Sequence, residues 1–325
     1  LGWVDLNFGN RIQARSVDKY KQEITMNILD QFQNYLLDTD KSAMTIKGYV
    51  TDLKQFQKWL GFDRSLETIS STDVRAYRDH LMSRAASPNT ISRHLASLAS
   101  FGQWGADKVK LFPENPALHI EPVEVATLAP RWLDKNQKRK LLNTIENDLR
   151  NAREKYPRLW LIRYRDAVMV NTLLATGLRV GELCDLRISD LVLGERKGSL
   201  MVRNGKGRKQ RSVALMNETR KQLSEWLAVR PHVTSDRVFI GQRGEPVRPR
   251  IVQRIVARYA KDAELEDVTP HTLRHTFSKS LLDSGASLVE VSKLLGHKSL
   301  DSTARYTQPS DMELQDAVER MGELY

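Results

Sequence analysis

Six side chains in a few short strings carry the chemistry this chain can do. Near its end stand His271-Thr272-Leu273-Arg274-His275, then Leu295-Gly296-His297, then Tyr306 nine residues later. Upstream lie Arg179, within Ala175-Thr176-Gly177-Leu178-Arg179-Val180-Gly181-Glu182-Leu183, and Lys206, within Gly205-Lys206-Gly207-Arg208-Lys209. A phenol, two guanidinium groups and several proton carriers suit a phosphodiester. The phenol is mostly protonated at neutral pH, because its ordinary pKa is about 10. Attack on phosphorus gathers charge on the non-bridging oxygens, where the permanently charged, bidentate guanidinium fork is the best donor. The departing 5′ oxygen needs a proton. All of these groups must be held rigidly, since preorganised electrostatics usually supply the largest part of catalysis.

Each residue has a plainer reading as well. Arg179 taken alone is a surface charge; with Glu182 one helical turn on, it is a candidate phosphate contact that Glu182 orients, unless Glu182 only supports the fold. Lys206 sits on a glycine-rich turn and can reach a leaving oxygen as a proton donor. Lys209, the fallback for that role, and Arg211 could serve instead, and Arg208, Lys209 and Arg211 are candidate DNA contacts; a lysine in a basic turn is otherwise a solvated charge. His271 and Arg274 follow Pro270, which can open a helix, and share one face of it. Arg274 is the second clamp, and His271 can accept or relay the phenolic proton near neutral pH. His275 points elsewhere, as a packing or capping group. His297 follows Gly296 at a helix end, where it either donates to a non-bridging oxygen or faces the helix dipole. Tyr306 alone is one more amphipathic aromatic. No carboxylate or cysteine cluster has metal-ligand spacing, so no metal or other cofactor is expected.

The elements needed to position these groups can be read from periodicity. Helical spacing begins at Met26, continues over 43–60 until Gly61, restarts at Ser71-Thr72-Asp73 through Met82, and restarts again at Pro88, with Gly102 and Gly105 expected to close that helix. Prolines 113, 116, 122 and 130 mark a linker over 113–130. Beyond it, helices are expected over 133–149, 163–174, 180–186, 218–229, 250–263, 273–284, 288–295 and 311–324. Two strands, 199–203 and 210–215, flank the turn at Asn204-Gly205. The fold class is therefore mainly α (α+β): an all-helical domain over 26–112, then a domain over 131–325 that mixes helices with a small antiparallel sheet. Residues 1–25 form an N-terminal extension.

Composition fits this division. The chain has 325 residues, 40% of them hydrophobic, which favours two domains over one core. The net charge is +11, and since acidic and basic residues balance before residue 131, all of it comes from 131–325. A basic surface or a polyanion partner accounts equally for that excess. No run of about 18 apolar residues or secretory-type segment is present, so no membrane partner is expected. The single cysteine, Cys184, excludes an internal disulfide and fits a reducing, cytoplasmic setting.

The strings ATGLRVGEL (175–183), HTLRH (271–275) and LLGHKSLDSTARY (294–306) closely resemble the tyrosine recombinase family, the phage integrases and Xer-like enzymes. The resemblance covers about 26–325, tightly in the three strings and loosely in the first domain. It implies a DNA core-binding domain and a catalytic domain that clamp double-stranded DNA. It also implies site-specific breakage and rejoining through a 3′-phosphotyrosine on Tyr306, without metal or ATP. Arg179, Lys206, His271, Arg274 and His297 complete the catalytic set. Partners would be a specific recombination site and further copies of the chain, as a tetramer on two duplexes docked through helix 311–324, with accessory DNA-binding proteins in some systems. The setting would be the nucleoid, and the task integration, excision or resolution of a mobile element (transposition included) or chromosome dimer resolution. In the first domain Lys47, Ser87, Asn89, Arg93 and His94 are candidate DNA contacts, although each taken singly reads more readily as part of a solvated helix face. A topoisomerase of the same chemistry and a non-catalytic DNA-binding regulator are the alternatives. The residues before 26 and the basic stretch from Glu146 to Arg165 depart from simpler members.

Overall fold

The computed structural model describes residues 28–39, 41–61, 63–121, 130–203 and 210–296. Lys206, Arg208, Lys209, His297 and Tyr306 lie outside them, as do residues 1–25 and the helix expected over 311–324. The chain divides into two compact units at residues 127 and 128.

The first unit is all helical among its described residues: α1 (28–38), α2 (Ala43–Leu60), α3 (Ser71–Ser83) and α4 (Pro88–Asp107). Serines set the starts of the last three. Ser42 accepts from the Thr45 N–H, Ser70 forms a capping box with Asp73, and Ser87 accepts from the Thr90 N–H ahead of Pro88. The apolar faces meet in a core that includes Phe32, Leu53, Phe56, Tyr77 and Phe101.

Two expectations change here. α4 runs through Gly102 and Gly105 to Asp107. The glycines do not break it; they make room for neighbours. A Cβ on Gly105 would lie 2.6 Å from the Phe112 ring, and one on Gly102 would strike the Asn115 side chain. Within the stretch read as a linker, Ala117 and Ile120 are buried in this core.

The second unit contains α5 (Lys135–Lys155), α6 (Pro157–Thr176), α7 (Val180–Asp185), β1 (Leu191–Leu193), β2 (Gly198–Val202), β3 (Arg211–Ala214), α8 (Asn217–Val229), α9 (Pro249–Asp262), α10 (Pro270–Asp283) and α11 (Leu288–Leu295). The strands form one antiparallel sheet in the order β1-β2-β3, with Leu200 opposite Val213 and both buried. β1 was not foreseen, because three residues are too few to show alternation.

α5 and α6 extend further towards each other than expected, meeting at Tyr156, so the basic stretch 146–165 is the end of one helix and the start of the next. Pro157 opens α6, and Trp160 stacks on Tyr164 one turn later, with ring centroids 5.2 Å apart. Arg258 pairs with Asp166 at 3.2 Å and Tyr259 donates to Asp148 at 3.0 Å, tying α9 to α6 and α5. These ties hold α6, whose far end carries the first functional string.

Candidate active site

α6 stops because Gly177 adopts a left-handed φ of +61° while its N–H still bonds Leu173 O at 3.0 Å. A Cβ at Gly177 would strike the Phe277 ring and lie 3.0 Å from Leu295, so the corner fits against α10 and α11 only as glycine. The turned chain delivers Arg179 to the start of α7. There its backbone N–H donates to Glu182 Oε2 at 2.8 Å, and its Nη1 donates to Glu182 Oε1 at 2.9 Å. One carboxylate thus caps the helix and holds the guanidinium, which remains 31% exposed.

Glu182 takes a second arginine. Arg211, at the start of β3, donates from Nη1 and Nη2 to the two carboxylate oxygens at 2.9 and 2.7 Å. Its Nε donates to Leu294 O at 2.9 Å. Burial would raise the Glu182 carboxyl, but the Arg211 hydrogen bonds, the Arg179 N–H and both positive charges outweigh it and hold the pKa below the usual range. Arg211, foreseen as a DNA contact, is instead largely buried, with its fork committed to Glu182 and Leu294.

Arg274 closes the arrangement from α10. Thr269 caps this helix by accepting from the Thr272 N–H, and Pro270 occupies the first turn. The Arg274 side chain is buried, and it donates from Nη1 to Gly177 O at 2.5 Å and from Nη2 to Leu295 O at 2.9 Å. Both carbonyls lie at helix C-termini, which carry partial negative charge and lack intrahelical partners. One guanidinium therefore joins the ends of α6 and α11. α11 itself ends at Gly296, φ +66°, directly before His297 in sequence.

His271 lies one turn ahead of Arg274. Partial burial, then the charges of Arg274 and Arg179, push its pKa below the ordinary 6.5, so the ring is neutral at pH 7. Arg274 reaches Gly177, two residues before Arg179, and His271 stands one turn from Arg274 on the same helix. His275 is pushed down to about 4 by burial, His271 and Arg274. Its ring centroid is 6.4 Å from that of His271.

In the first unit, Lys47, Ser87, Asn89 and Arg93 are exposed, with Ser87 also serving as the α4 cap. His94 is not available as a groove contact. Its ring is buried, 3.3 Å from the Tyr77 hydroxyl and 3.2 Å from Arg93 Nη2. Burial lowers its pKa, with Asp52 opposing and Arg93 adding to the shift. Asp52 is also buried; it accepts from Ser97 Oγ at 2.8 Å and pairs with Arg93. This carboxylate escaped the sequence reading, although its place one turn from Tyr49 and Phe56, within an apolar stripe, was a visible signal.

Among the described residues no helix is long and apolar enough to cross a membrane. A model described as the phage integrase family matches residues 131–313, and one described as the phage integrase N-terminal SAM-like domain matches 29–108. The tyrosine recombinase XerC of Corynebacterium glutamicum is 32% identical, covering 90% of this chain and 91% of its own. The tyrosine recombinase XerD of Listeria innocua is 30% identical, over 90% and 98%. The crystal structure of the XerH site-specific recombinase on its palindromic difH substrate shares the fold: TM-score 0.70 and 23% identity, over 85% of this chain and 79% of that one.

Proposed function

The chain belongs to the phage integrase family and is a tyrosine recombinase, and from that premise we propose that Tyr306 is its nucleophile, acting on double-stranded DNA at a specific site. The phenolic oxygen attacks a backbone phosphorus, forming a 3′-phosphotyrosine as the bond to the 5′ oxygen breaks. The phenolic proton passes to His271, whose ring is neutral at physiological pH. The leaving 5′ oxygen takes a proton from Lys206. Arg179, Arg274 and His297 hold the non-bridging oxygens as negative charge builds. A 5′ hydroxyl from a partner duplex then reverses the step and joins new strands. The ester conserves the bond energy, so the exchange is chemically balanced without a further reactant.

The observation that supports this assignment is the reach of Arg274 to Gly177 and Leu295. It ties the end of the helix before Arg179 to the end of the helix before His297, with His271 alongside. These three strings are distant in sequence, and the junction gathers them at one side chain, as binding a single phosphate requires.

Each duplex has two strands to cut, and each chain offers one Tyr306. Complete exchange between two duplexes therefore requires four protomers, acting in the cytoplasm where the DNA is. The test is incubation with nicked duplexes of random sequence, on which the departing strand diffuses away. The wild-type protein accumulates a denaturation-resistant adduct and Tyr306→Phe does not; an equal adduct from the variant would remove Tyr306 from this role.

A further inference from the structure

We propose that Arg211 is a positioning residue that keeps Arg179 available to phosphate by saturating the carboxylate of Glu182. The inference rests on the recombinase reading above, in which Arg179 meets the scissile phosphate.

Two cations share one anion here. Glu182 accepts both Nη groups of Arg211, at 2.9 and 2.7 Å, and a single nitrogen of the Arg179 side chain, at 2.9 Å. The bidentate partner is the more enclosed one: the Arg211 side chain is 10% exposed and that of Arg179 is 31% exposed. Glu182 is ionised at neutral pH. With Arg211 present, the trio keeps one net positive charge, and that charge sits on the outer arginine.

Removing Arg211 changes the competition. A buried carboxylate would then face Arg179 alone, and carboxylate and guanidinium match each other fork to fork. Arg179 would turn inward, neutralised by the group that now merely steadies it. The Nε bond to Leu294 O gives the Arg211 guanidinium a second anchor besides Glu182. Gly296 allows that close approach, since a Cβ there would lie 3.1 Å from Arg211 Cδ. Lysine offers charge without the fork and would fill the role only in part.

The test measures single-turnover adduct formation on the nicked duplex that the wild-type protein selects from the random pool, with DNA affinity measured separately. Arg211→Gln should slow adduct formation by about tenfold or more at saturating protein, with affinity changed less than about threefold. Adding Glu182→Gln should then restore at least about threefold over Arg211→Gln, because the competing charge is gone. A purely structural Arg211 predicts that the double variant is no faster than the single one, and that result overturns the proposal, as does wild-type speed in Arg211→Gln. Should Arg211→Gln fail to unfold cooperatively, Arg211→Lys with and without Glu182→Gln is read in the same way. Absence of an adduct from the wild-type protein overturns the recombinase reading itself; wild-type adducts with an indifferent Arg211 overturn this inference alone.

Discussion

Arg274 and Gly177 stand 97 positions apart in the chain and meet at 2.5 Å, the guanidinium Nη1 donating to the carbonyl at the end of α6. The other terminal nitrogen of the same fork takes the carbonyl of Leu295. A side chain assigned to the substrate is thus also the joint between two helix ends, so its replacement affects stability and chemistry together.

Arg274→Lys keeps the charge and loses the planar fork. Only one of the two carbonyls can then be satisfied, and we expect a loss of about 2–3 kcal/mol of stability. Cleavage should fall about 100-fold or more, as when a preorganised donor is removed from a transition state. Urea unfolding and single-turnover cleavage measure the two effects separately. A variant with full cleavage would contradict the clamp role.

Gly177→Ala meets two obstacles, a left-handed φ and the Phe277 ring. The expected cost is about 1–3 kcal/mol. Combining it with Phe277→Ala should relieve the collision and leave the backbone strain, which shows as a smaller destabilisation by Gly177→Ala in that background than in the wild type. Equal costs in both backgrounds would show that the ring does not restrict the corner.

The two histidines of α10 make the second unit acid-sensitive. Both have folded pKa values below the ordinary 6.5, that of His275 at about 4. As pH falls below 6.5, the unfolded chain takes up protons that the folded one refuses. Their contribution is therefore complete above about pH 6.5 and declines from there towards pH 4. His275→Gln should flatten that part of the stability profile, measured by urea unfolding at successive pH values. With protein well below saturation, where the groups of the free protein set the profile, the adduct-forming rate should fall as pH drops through the lowered pKa of His271, giving an acid limb with its midpoint below 6.5. An acid limb centred above 6.5 would exclude His271 as the group that takes the phenolic proton.

The helices were legible because their signals are local. Gly61, Gly177 and Gly296 end helices where a glycine follows an apolar stripe, and the cap expected at Ser71-Thr72-Asp73 falls one residue earlier, at Ser70. The difficulty came where a partner distant in sequence decides. Gly102 and Gly105 look like stops in isolation, yet Asn115 and Phe112 use the space they leave inside α4. Arg211 looks like one more cation of a basic hairpin, and only the folded chain reveals Glu182 and Leu294 around it. His94 looks like an exposed neighbour of Arg93, but α4 turns it towards Tyr77 and Asp52. Spacing could show that Asp52 lies within an apolar stripe; it could not show that His94, Tyr77 and Ser97 would meet it there.

In the first unit, exposed Arg93 and buried His94 should behave differently on DNA. If Arg93 neutralises a phosphate, Arg93→Gln lowers the slope of log affinity against log salt by about one. His94→Gln should leave that slope unchanged, whatever it does to stability. Titrations over a range of salt concentrations report both. A slope altered by His94→Gln and not by Arg93→Gln would reverse the assignment.

Protease digestion and mass spectrometry of the adduct trapped on a nicked duplex test the central claim most directly. The account predicts one modified peptide, containing Tyr306, with DNA attached through its 3′ phosphate and a free 5′ hydroxyl on the released strand. Attachment at any other residue, or through a 5′ phosphate, would contradict it.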